Sequence, residues 1–124
     1  MEPVKALVDS DVLIDYLQGK VQARKELNRY SELCYSVISW MEIMCGAETP
    51  KEKSAAEALL GSMQLIDLSK EIAAKAVEER KSLRLKLPDA IILATADHEG
   101  CILVTRNTKD FSKDDPRIRF PYAI

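Results

Sequence analysis

The sequence predicts a three-layer α/β sandwich, with a central, mainly parallel sheet of about four to five strands flanked by helices. Three observations predict it. Val4, Ala6, Leu7 and Val8 form an apolar run of the kind that makes a strand buried on both faces. Cys101-Ile102-Leu103-Val104-Thr105 is a second such run near the other end of the chain. Between them, short β-forming runs alternate with segments of helical period across short connections, which is the pattern of a parallel sheet with crossover helices. A chain of 124 residues, 47% hydrophobic and 31% charged, fits a single domain over residues 1–124 with one respectable core.

The elements follow in order. The first strand ends at Asp9 and turns at once into a helix carrying Val12, Leu13, Ile14, Tyr16 and Leu17, which Gly19 closes. Val21 to Tyr30 sets Val21, Ala23, Leu27 and Tyr30 among charges, as a basic surface helix does. Leu33 to Ile38 is short, apolar and rich in β-formers, a second buried strand. Ser39 then starts a helix that ends at Gly46, and Ser39-Trp40-Met41-Glu42 reads as a capping box. Thr49-Pro50 opens a helix to Gly61, with Pro50 at its first position. Gln64 to Leu68 is a brief strand, and Ser69 caps a long helix with Ile72, Ala73, Ala76, Val77 and Leu83 on one face. Pro88 breaks that helix and starts another, whose Ala90 to Ala96 are apolar all round and hence buried. Gly100 ends it, the Cys101 strand follows, Asn107 to Phe111 makes a turn or short helix, and Ile118 to Phe120 supplies an edge strand. Trp40 reads as core, and Asp15 as either a surface residue of the first helix or one that backs the acidic site.

Composition excludes several classes. A net charge of -2 and a pI near 5.5 argue against broad electrostatic binding of nucleic acid, although a local basic rim would offset them. Cys34, Cys45 and Cys101 lack metal-ligand spacing and read as buried reduced thiols of a cytoplasmic protein. No apolar run approaches the roughly twenty residues that span a bilayer, and Asp9 and Asp11 interrupt any signal-peptide core. His98 is the only histidine and has no nucleophile pattern beside it, and no glycine-rich phosphate loop is present.

What remains is acidic. In a parallel sheet the residues following each strand share one edge, where ligands gather. That edge should receive Asp9, Ser10 and Asp11 from the first strand, Glu42 from the helix after the second, and Thr105, Asn107 and Asp110 after the Cys101 strand. Asp89 enters in the first turn of the buried helix. Carboxylates gathered in one cleft repel one another unless a cation shares them, and hard oxygen ligands without His or Cys select Mg²⁺ or Mn²⁺. Singly, each acid has a plain structural reading as a cap, a helix-dipole partner or a solvated loop residue. The functional case rests on the joint pattern.

Four segments together resemble the successive motifs of PIN domains, most nearly the small VapC-type toxins of toxin–antitoxin pairs. They are Val8-Asp9-Ser10-Asp11-Val12-Leu13-Ile14-Asp15, Ser36-Val37-Ile38-Ser39-Trp40-Met41-Glu42-Ile43, Leu87-Pro88-Asp89-Ala90-Ile91-Ile92-Leu93-Ala94-Thr95-Ala96 and Leu103-Val104-Thr105-Arg106-Asn107-Thr108-Lys109-Asp110-Phe111. The resemblance implies a homodimeric endoribonuclease dependent on Mg²⁺ or Mn²⁺, held inactive by a cognate antitoxin in its catalytic groove. It implies Asp9, Glu42, Asp89 and Asp110 as the catalytic metal cluster, Ser10, Asp11, Thr105 and Asn107 as supporting polar groups, and products with 5′-phosphate and 3′-hydroxyl ends. Arg84, Lys86, Arg106 and Lys109, with Lys81, fall where they could contact RNA phosphates.

Two other readings compete. The opening LVDSDVLID also resembles the DxD start of haloacid-dehalogenase-type phosphatases, but Leu13 stands where Thr or Val is expected and no later GDxxxD-like motif follows. A catalytically inert PIN-like interaction module, or a phosphoreceiver, is the non-enzymatic alternative. All four acidic positions are filled, which disfavours the inert module, and Asp67 is a poor receiver aspartate inside LIDLS.

Overall fold

Strand β1 (Lys5–Val8) is the middle strand of the sheet, and its neighbours explain why its sequence is continuously apolar. In the computed structural model, which describes residues 4–123, β1 pairs in parallel with β2 (Glu32–Ser36) on one side and β4 (Ile102–Val104) on the other. Leu7 stands opposite Cys34 and Leu103. Strand β3 (Gln64–Ile66) adds to β2 and β5 (Ile118–Arg119) to β4, giving the order β3-β2-β1-β4-β5 with every pairing parallel.

Period-two alternation divides the core. Leu7, Cys34 and Leu103 face α5 (Lys70–Leu83) and α6 (Leu87–His98), where they meet Ile72, Ala76 and the Ala90–Ala96 segment. Ala6, Val8, Tyr35 and Val104 face the other way, onto α1 (Ser10–Leu17), α2 (Val21–Leu27), α3 (Val37–Gly46) and α4 (Pro50–Gly61). Three layers result, as the alternation of elements predicts. α6 is buried almost all round, and its one internal hydroxyl, on Thr95, is satisfied by donating to Ile91 O at 2.7 Å.

Helix starts follow local chemistry. Asp9, Ser36, Thr49 and Ser69 each accept a backbone N–H as N-caps, and Thr49 with Glu52 forms a full capping box. α5 ends at Arg84, which takes the left-handed conformation at φ 57°, usually left to glycine.

Four expectations are corrected. α3 starts at Val37, not after Ser39: the Ser36 hydroxyl caps it by accepting from Ile38 N at 3.0 Å, so the β-branched pair Val37-Ile38 is helical and the capping box at Ser39 does not form. Trp40, expected in the core, is 42% exposed on α3. Cys45 is exposed, whereas Cys34 is buried and Cys101 partly so. The helix from Val21 stops at Leu27 and hides an acid, since Glu26 is 4% exposed and receives Arg119 Nε at 2.7 Å and Tyr30 Oη at 2.6 Å. Among the described residues no helix is long and apolar enough to cross a membrane.

Candidate active site

β1 and β4 end side by side, and the chain leaves them in opposite directions: β1 runs on through α1 and α2 to β2 on one side, while β4 runs on to β5 on the other. A crevice opens at such a reversal of strand order. Asp9 and Thr105 are the first residues past the two strands and both are buried. Asp9 Oδ1 accepts the Ser10 amide at 2.7 Å, and Asp9 Oδ2 accepts the Thr105 hydroxyl at 2.8 Å.

These donors do not offset the surroundings. Burial, then the charge of Asp11, pushes the Asp9 carboxyl up to about 7; the Thr105 and Ser10 hydrogen bonds pull against that rise and Glu42 adds to it. Asp89, in the first turn of α6, is also raised, by burial and then by the charge of Asp110, with Glu42 and Asp11 contributing against the opposing pull of Lys86. Five carboxylates therefore share one field: Asp9, Glu42, Asp89 and Asp110, with Asp11 beside them. Burial raises Asp11 as well, and although its Oδ2 accepts Arg106 N at 3.1 Å, its buried Oδ1 has no partner.

The supporting groups are built into this frame. Ser10 Oγ donates to Glu42 Oε1 at 3.1 Å, tying α1 to the exposed acid of α3. Asn107 closes the loop after β4: its Oδ1 accepts Asp110 N at 3.1 Å and its Nδ2 donates to Asp110 Oδ2 at 3.0 Å. Phe111 is buried and pins the end of that turn. Of the basic candidates, Arg84, Lys86 and Lys109 are exposed, and Lys86 Nζ lies 3.8 Å from Asp110 Oδ2. Arg106 departs from the expectation of a phosphate contact. Its guanidinium is engaged by Asp15, with Nε to Oδ2 at 2.5 Å and Nη2 to Oδ1 at 3.2 Å.

Asp15 takes the inward of its two expected places. It is 2% exposed, not a surface residue, and also takes Tyr122 Oη at 2.8 Å and Lys20 Nζ at 3.3 Å. Burial pushes its carboxyl up, but the hydrogen bonds of Arg106, Tyr122 and Lys20 outweigh that and hold it below the usual carboxylate range. Its main partner is 91 residues away, beyond the reach of any local pattern. Ser39, lost as a cap, is fully buried with an unpartnered hydroxyl.

Among the described residues no three acidic, His or Cys side chains stand close enough to make a ready ligand cage. The donor set nonetheless fits a hard divalent ion. It offers only oxygen, carries unbalanced negative charge and leaves Asp11 Oδ1 without a partner. Mg²⁺ in particular is held by one or two carboxylates with waters completing its shell, so it needs no all-protein cage.

Fold and site define an open parallel α/β domain with an acidic crevice at the carboxyl edge of its central strands. The PIN domain model matches residues 6–115, and the chain belongs to that family. It is 34% identical over 126 residues to Ribonuclease VapC10 of Mycobacterium tuberculosis, covering 95% of this chain and 93% of that protein. Among solved structures, a toxin–antitoxin complex from Klebsiella pneumoniae superposes with TM-score 0.89 at 40% identity, over 96% of this chain and 99% of that one. DNA-bound VapBC from Salmonella typhimurium shares the fold at TM-score 0.76 and 24% identity, over 94% of this chain and 96% of that one.

Proposed function

We propose that this protein is the ribonuclease toxin of a toxin–antitoxin pair, an endonuclease that hydrolyses RNA phosphodiesters with Mg²⁺ or Mn²⁺. Its partners would be a cognate antitoxin that blocks the crevice and a second copy of the chain, and its place the cytoplasm. The observation that carries this reading is the shared field of five carboxylates at one strand edge, in which Asp9 is pushed up to about 7. Family membership and the VapC10 relative supply the substrate class.

Asp9 and Asp89 would hold the ion, with Asp110 and Glu42 completing its surroundings and Asp11 Oδ1 available beside them. A divalent cation held there would lower the pKa of water and neutralise charge on the phosphate. The chain's own residues do the rest. Thr105 and the Ser10 amide fix the Asp9 carboxylate from two sides, so its orientation costs nothing when substrate arrives. Glu42, exposed and tethered through Oε1 by Ser10, accepts a hydrogen bond from the attacking water and aligns it. Water adds to phosphorus in line, the bond to the 3′ oxygen breaks, and 5′-phosphate and 3′-hydroxyl ends form. Arg84, Lys86 and Lys109, all exposed, would bind flanking phosphates without reading bases.

A dehalogenase-type phosphatase would use Asp9 as a nucleophile. The chain belongs to another family. The experiment that tests the proposal is cleavage of a defined RNA by purified protein with and without Mg²⁺ or Mn²⁺, with the product ends mapped.

A further inference from the structure

We infer that Asp15, Arg106 and Tyr122 form a positioning device for the acidic site, a clamp that sets the loop from Thr105 to Asp110 against α1. This inference rests on the cation-dependent reading above.

Asp11 and Asp15 are one turn apart on α1 and so lie on one face of the helix. They grip a single residue from both ends. Asp11 Oδ2 takes the backbone N–H of Arg106 at 3.1 Å, and the carboxylate of Asp15 takes its guanidinium through two nitrogens. The preceding residue, Thr105, donates to Asp9 at the head of the same helix. Three acids along one edge of α1 thus fix two consecutive residues of the opposite chain segment, and the following residues, Asn107 and Asp110, inherit their placement through the Asn107 turn.

The clamp is closed from outside by the C-terminal segment. Tyr122 Oη donates to Asp15 Oδ2 at 2.8 Å, and Arg106 lies over the Tyr122 ring, 6.0 Å from its centroid. A fork bonded through two atoms and stacked on a ring fixes direction as well as distance, which a lysine at that position would not do. The buried Asp15 carboxylate and the partly exposed Arg106 guanidinium meet one residue from Thr105. Its work is to hold Asp11 Oδ1, Asp110 and, through Thr105, the Asp9 carboxylate where a cation can use them.

The test is Mn²⁺ binding to the purified, metal-free protein, read by electron paramagnetic resonance, beside thermal melting of each variant. Groups that orient metal ligands cost about 10–100-fold in metal affinity when removed. Asp15→Asn and Arg106→Gln should each weaken Mn²⁺ binding by about tenfold, and Arg106→Lys should not restore it. Tyr122→Phe, the mildest change, should weaken binding by less while leaving the protein folded. Glu26→Gln disrupts another buried ion pair and should lower the melting temperature with Mn²⁺ affinity unchanged. Variants of Asp15, Arg106 and Tyr122 that melt early yet bind Mn²⁺ as the native chain does would overturn the clamp. Asp9→Asn separates the two ideas: if it too binds Mn²⁺ normally, the cation-dependent reading fails as well.

Discussion

Thr105 Oγ1 donates to Asp9 Oδ2 across 2.8 Å, joining the ends of β4 and β1 through two fully or nearly buried side chains 96 residues apart. That hydrogen bond is where the sheet becomes a site. It is one of two donors to a carboxylate that burial and Asp11 otherwise drive towards protonation.

Thr105→Val keeps the shape of the side chain and removes the donor. Asp9 Oδ2 then loses its donor while Oδ1 keeps the Ser10 amide, and leaving a buried acceptor unpaired costs about 1–3 kcal/mol in protein interiors. The variant should melt lower than the native chain and lose most of its RNA cleavage. Thr105→Ser should retain both, which cleavage assays beside thermal melts will check.

Asp9 is expected to trade stability for function. Its folded pKa, about 7, lies above the unfolded value near 3.9, so the native state holds the extra proton between them. Stability of the cation-free protein from this group therefore falls as pH rises through that window, and the full cost stands above it. Asparagine does not ionise, can still accept the Ser10 amide and can donate to Thr105. Asp9→Asn should accordingly melt higher than the native chain at about pH 8 without cations while cleaving no RNA. A lower melting temperature at that pH would contradict the buried-charge account.

Asp15 and Glu26 run the other way. Burial raises each, but Asp15 is pulled down by Arg106, Tyr122 and Lys20, and Glu26 by Arg119 and Tyr30, so both sit below their ordinary values. A depressed carboxylate contributes stability that is complete above its unfolded pKa and is lost as pH falls through the folded one. Both contributions disappear below about pH 4. In acid titrations followed by circular dichroism, Asp15→Asn and Glu26→Gln should start less stable at neutral pH and show a shallower loss on acidification.

The architecture was readable because it follows from local patterns. The Val4–Val8 run, the all-apolar Ala90–Ala96 helix, Thr49-Pro50 and Ser69 each act over a few residues, and the elements form as those patterns require. The order of the strand ends then brings the acids into one field. Ser36 against Ser39 shows the limit of local pattern. Val37 and Ile38 favour a strand, yet a side-chain cap just before them starts the helix. Asp15, Glu26 and Arg106 were illegible for another reason. A carboxylate on a helix looks solvent-exposed until a guanidinium arrives from 91 or 93 residues away, and no spacing rule carries that information.

The exposed Lys86 and Lys109 are expected to make a weaker and separable contribution. Lys86→Ala with Lys109→Ala should raise KM for RNA several-fold with kcat nearly unchanged. Removing one lysine–phosphate interaction should flatten the slope of log affinity against log salt by about 0.7. Binding measured at several salt concentrations checks this, and an unchanged slope would remove both lysines from the interface.

Cleavage of RNA by the native chain, Asp9→Asn and Asp89→Asn, with Mg²⁺ or Mn²⁺ and with chelator, tests the central claim most directly. The native chain should make cation-dependent endonucleolytic cuts bearing 5′-phosphate and 3′-hydroxyl ends, and both variants should be folded but inert. Cleavage that persists in chelator and survives both substitutions would contradict it.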